Sequence, residues 1–77
     1  MRFYFHVRSE RGYDDDKEGI ELASLEAAKR EAEASAREMV AELVKQQERI
    51  DGTRFEIADE QGRVLAVLPF LDVVKLG

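Results

Sequence analysis

The densest run of ionisable side chains is Asp14-Asp15-Asp16-Lys17-Glu18-Gly19. Asp14, Asp16, Glu18 and Gly19 occupy the first, third, fifth and sixth places of a calcium-loop pattern, where oxygen ligands alternate before a sharp turn. The twelfth place should bring a bidentate carboxylate but holds Leu25, and no helical pattern precedes the run. A solvated acidic loop is therefore expected, with no metal and no cofactor. His6 is the only histidine, so no histidine dyad exists. The nearest hydroxyl nucleophile, Ser9, lies an odd number of residues along a strand and would face the other side. No nucleophile is paired with a base, so neither catalysis nor a small-molecule substrate is expected.

A second pattern concerns recognition rather than reaction. Arg2, Tyr4, His6 and Arg8 share one side of an alternating stretch, and Arg54 and Arg63 come from later strands that could join it. Arginines around an aromatic ring can stack single-stranded bases. Against that reading stand a formal charge of −5, the intruding Glu56 and the single clear outward aromatic. A protein-binding or solvated face is the leading expectation, and an antitoxin-like or nucleic-acid-associated module is the runner-up.

The elements that position these residues follow from periodicity. The stretch Ser24 to Arg49 puts Leu25, Ala28, Ala32, Ala36, Met39, Val40, Leu43 and Val44 on one stripe of a helix. Ser24 is placed to accept a hydrogen bond from an otherwise unpaired amide at the helix start, and Glu26 meets the positive end of the dipole. Asp51-Gly52 supplies the stop, with Gly52 at or just beyond the cap. Arg2 to Arg8 alternates as a strand with Phe3, Phe5 and Val7 buried, and Ser9 to Lys17 reads as an exposed loop. Gly19 to Leu22 suggests a short second strand. Thr53–Ala58 and Arg63–Leu68 form a hairpin around Asp59-Glu60-Gln61-Gly62. Val64, Leu65, Val67 and Leu68 are all apolar, so both faces of the return strand could be covered. Pro69 ends the ladder because it has no amide hydrogen.

With 77 residues and no cysteine, the chain is expected to be one domain whose stability rests on packing or association. The order strand, weak strand, helix, hairpin predicts an α+β fold: an antiparallel sheet of three or four strands with one long helix on one face. No apolar run reaches the ~18 residues that span a bilayer, and the opening residues lack a signal-peptide pattern. A cytoplasmic protein without membrane contact is the expectation.

A helix of about 24 residues would be roughly 36 Å long, against about 20–23 Å for strands of six or seven residues. One end must overhang. Small alanines early and larger residues late place the overhang at the C-terminal end, around Val40, Leu43 and Val44. Either the tail Phe70–Leu76 or a second copy of the chain would cover it. The candidate partner surfaces are thus this late stripe and the open sheet face around Tyr4, His6, Arg8 and Arg54, with a protein partner or a homodimer as occupant.

Arg2-Phe3-Tyr4-Phe5-His6-Val7-Arg8, Asp16-Lys17-Glu18-Gly19-Ile20-Glu21-Leu22, Leu25-Glu26-Ala27-Ala28, Phe55-Glu56-Ile57-Ala58-Asp59 and Gly62-Arg63-Val64-Leu65 before Pro69-Phe70 also carry a resemblance. Together they resemble a family of short, mainly soil and plant-associated bacterial proteins catalogued as a domain of unknown function. The resemblance implies a stand-alone cytoplasmic domain and supplies no activity. The opening strand, acidic loop and helix start are more loosely similar to HicB-type antitoxin domains, but no separate DNA-binding segment follows the hairpin.

Overall fold

The computed structural model describes residues 1–74. The alternating opening forms β1 (Arg2–Ser9), from which the sheet grows in both directions. On one edge β1 pairs antiparallel with β4 (Arg54–Ala58), which pairs with β5 (Val64–Pro69). The short strands β2 (Gly12–Asp14) and β3 (Ile20–Glu21) also pair with β1, giving the order β2-β1-β4-β5 with β3 beside β1. The long helix α1 (Leu25–Lys45) crosses one face, and a short helix α2 (Phe70–Val74) follows β5. This is an α+β fold: an open antiparallel sheet with one long helix.

The inner face is built in rows across the strands. Val7, Phe55 and Leu68 form one row, and Phe5, Ile57 and Ala66 the next. Ala28, Ala32 and Ala36 are fully buried against this face with Phe3. Because each alanine projects only a methyl group, the helix lies close to the aromatic side chains. Phe70 completes the core, its ring meeting Phe55 edge-on at 5.2 Å.

Several expectations change. The stretch expected as one exposed loop contains β2, because Ser9 pairs with Gly12 across a tight turn and Arg11 N–H is held by Ser9 Oγ at 3.2 Å. Three exposed residues carry no periodic signal; the turn brings them into register. The return strand is not covered on both faces, since Ala66 and Leu68 pack inward while Val64 and Val67 stay exposed. A register shift between Ile57 and Ala58 accommodates the extra residue, Leu65. In the turn before it, Asp59 Oδ1 accepts the amides of Gln61 and Arg63, both at 2.9 Å.

Ser24 caps α1 as expected, its Oγ accepting Ala27 N–H at 3.1 Å. The other end comes sooner than Arg49. Apolar contacts run out after Leu43, and Gln47 N–H and Glu48 N–H turn back to the carbonyls of Val44 and Leu43 at 3.0 and 2.8 Å. Gln47 takes the left-handed conformation, φ 59°, that such a cap requires. Gly52 lies in the following turn, where Thr53 N–H reaches Ile50 C=O at 3.1 Å, and does not cap the helix. Gln47→Gly removes the side-chain penalty of that conformation and is expected to stabilise the protein by about 0.5–1 kcal/mol, a rise of several degrees in melting temperature by circular dichroism.

The late end of α1 is covered by the chain's own tail. Phe70 and Val73 are buried, and Val40 and Leu43 pack on the same cluster. Lys75 and Leu76, the end of the expected tail, lie outside the described residues. Val44 does not belong to the covered stripe: about 100° of turn per residue carries it away from the alanine line, and it is 61% exposed.

Candidate functional site

The site is built on the outer edge and open face of β1. Along a strand, alternate residues present their backbone groups to the same edge. Met1 C=O accepts Leu22 N–H at 2.9 Å and Phe5 N–H points the same way, so β3 and β2 share one edge of β1, at Arg2–Phe3 and at Val7–Ser9. Between them Phe5 has no strand partner on that edge. Asp16 fills the gap: its Oδ2 accepts Phe5 N–H at 3.0 Å, and its Oδ1 accepts Glu18 N–H and Gly19 N–H, each at 3.2 Å. A carboxylate thus takes the place of a neighbouring strand's carbonyl.

Partial desolvation raises the Asp16 pKa, but the bonds from Phe5, Gly19 and Glu18, helped by nearby His6, outweigh it and hold the carboxyl below its ordinary value. The third place of the calcium-like pattern is therefore turned toward amide hydrogens. Among the described residues, no group of three or more acidic, histidine or cysteine side chains could hold a metal ion.

On the open face the strand register sets side chains in rows. Tyr13, Arg8 and Arg54 lie across β2, β1 and β4, and His6, Glu56 and Val67 across β1, β4 and β5. Arg8 stacks over the Tyr13 ring at 4.4 Å and reaches Glu56 at 2.9 Å, while Arg54 approaches the same carboxylate at 3.5 Å. Two guanidinium groups share one acid. The His6 ring sits between Tyr4, stacked at 6.3 Å, and Tyr13, tilted at 5.6 Å. Desolvation, then the Asp15 and Glu56 carboxylates, raise the Tyr13 pKa.

The candidate residues separate accordingly. Tyr4, His6, Arg8 and Arg54 come together on the open face. Arg63 does not join them; it stands at the hairpin turn, 3.7 Å from Asp59. Val40 and Leu43 are engaged with the core, and Val44 stands apart from them. Tyr13 and Val67 belong to the site but escaped the sequence reading, the first because its strand is so short, the second because an all-apolar strand hides its facing. A cavity of about 300 Å³ opens at the far end of α1, floored by Val7, Met39, Leu43 and Phe70. Its rim is charged, and the ion pairs Arg11–Glu48 and Arg49–Asp51 occupy its cations.

A family model described as a domain of unknown function, DUF6894, matches residues 2–71. The chain belongs to this family. The match runs through every strand and into α2, so the DUF6894 unit includes the clasp at Asp16, the open face and the Phe70 that closes the core. No curated protein and no solved structure matches this DUF6894 chain. Among its described residues no helix is long and apolar enough to cross a membrane.

Proposed function

We propose that this DUF6894 protein is a non-catalytic, cytoplasmic binding module that docks a partner protein on its open sheet face. The supporting observation is the pairing, on that face, of exposed apolar side chains with guanidinium groups only half satisfied. Val64 and Val67 are 49% and 51% exposed, and Val67 lies one row from Arg8 and Arg54, which share the single carboxylate of Glu56. A partner offering an apolar residue next to a carboxylate would cover the valines and complete the charge pairing.

Docking runs through side chains rather than through an added strand. β5 is the edge of the sheet, but its register shift at one end and Pro69 at the other leave only a short run of free backbone groups. The nucleic-acid reading is weaker because the formal charge of −5 repels a phosphate backbone and Glu56 stands between the two arginines.

Immobilised wild-type chain should retain one protein from a cell extract, and Val67→Glu should weaken that complex by more than about tenfold at unchanged melting temperature. Glu33→Lys, on the polar side of α1, should retain it fully. Equal retention by wild type and Val67→Glu would overturn the reading. A dimer by light scattering that Val67→Glu dissolves would make the partner a second copy of the chain, and salt-sensitive binding of a short oligonucleotide would replace the protein partner by nucleic acid.

A further inference from the structure

The His6 side chain is only 12% exposed although it lies on the open face. Its Nδ1 stands 3.0 Å from the backbone nitrogen of Asp16 and 3.0 Å from Oδ1 of Asp15. These contacts exclude each other. Asp16 N–H is a permanent donor and needs a lone pair on Nδ1, whereas the Asp15 carboxylate is an acceptor and needs a proton there. One ring nitrogen can hold one or the other.

We propose that His6 is a proton-operated latch on the loop that carries the Asp16 clasp. In the neutral ring, with its proton on Nε2, Nδ1 accepts Asp16 N–H and fixes the residue whose carboxylate closes the edge of β1. A proton on Nδ1 breaks that bond and joins the ring to Asp15, so the loop is held by a charge pair one residue earlier. Asp15 is free to respond, its side chain being 52% exposed. The ring faces Tyr4 and Arg8 on its own strand, Tyr13 on β2, Asp15 and Asp16 on the loop, and Glu56 opposite it on β4, with Arg8 turned away into its pair with Glu56. Asp16 also holds Phe5, Glu18 and Gly19, so the state of one imidazole nitrogen reaches the whole span from β2 to β3. The latch is independent of whether the open face binds a partner.

The test is nitrogen-15 NMR of the full chain between about pH 8 and pH 5, the range in which histidine side chains change charge. At the upper end, the ring nitrogens should report the Nε2–H tautomer and the Asp16 amide should resonate downfield. As the ring takes up its proton, the Asp16 amide should move upfield with the same midpoint, and its protection from hydrogen exchange, relative to the intrinsic rate at each pH, should fall roughly tenfold. In Asp15→Asn, which removes the negative charge that favours the protonated ring, the Asp16 amide should keep its upper-range position to lower pH. An Nδ1–H tautomer at the upper end, an Asp16 amide that ignores the ring's titration, or an Asp15→Asn profile that superimposes on wild type would each overturn the proposal.

Discussion

Gly19→Ala is expected to cost about 2–4 kcal/mol of unfolding free energy and to lower the melting temperature by roughly 10–25 °C. For a chain of this size that is a large share of a total of about 4–12 kcal/mol. Two causes combine. Gly19 has φ 68°, a conformation that costs an L side chain about 1 kcal/mol or more. A Cβ built there would also stand 2.8 Å from the carbonyl oxygen of Phe3 and 2.9 Å from the Tyr4 ring. The Phe3 carbonyl is part of β1 and cannot yield without disturbing the pairing with β3. Gly62→Ala is the matched control: its φ is 82° but nothing lies within 4 Å of the added methyl. That variant should lose only about 1 kcal/mol. Thermal unfolding of the two side by side isolates the close approach, and melting temperatures within roughly 3 °C of each other would show that contact with β1 contributes nothing.

What the sequence made legible was whatever rests on neighbours in the chain. Ser24 reaches Ala27, and Asp59 reaches Gln61 and Arg63, so the start of α1 and the hairpin turn are written within a few residues. Alternation from Arg2 to Arg8 likewise put Tyr4, His6 and Arg8 on one face, with Arg54 delivered to it by a second alternating strand. The end of α1 was hidden because glutamine, not glycine, takes the left-handed position. Asp16 was hidden for a different reason. Its carboxylate looks like one of several solvated charges, yet its decisive donor, Phe5 N–H, is eleven residues away and is a backbone group that no pattern of side chains reports. Periodicity also assigns a residue to a face without saying how far the cover extends, which is why Val44 was grouped with Leu43.

Asp16→Asn is expected to cost about 1.5–3 kcal/mol at neutral pH, the range for hydrogen bonds to a charged acceptor. The carboxylate accepts through both oxygens, Oδ2 from Phe5 and Oδ1 from Glu18 and Gly19. An amide has one accepting oxygen, so its NH₂ group must face one of those N–H donors, leaving it unpaired at a partly buried edge. The pH dependence distinguishes this from a generic loss of packing. The folded Asp16 pKa lies below the ordinary 3.8, so as pH falls the unfolded chain binds the proton first. The stabilisation is therefore complete above the unfolded value and is lost as pH falls through the folded one. Urea unfolding at a series of pH values should give a gap between wild type and Asp16→Asn that narrows below about pH 5, as the carboxylate takes up its proton. Glu21, lowered by its hydrogen bond to the terminal amino group, and Asp51, lowered by Arg49, titrate in both proteins and largely cancel in the difference. A gap that stays flat through the acid range would mean that the charge on Asp16 does not hold the edge of β1; a gap that closes would tie the fold of the 15–19 loop to one ionised carboxylate.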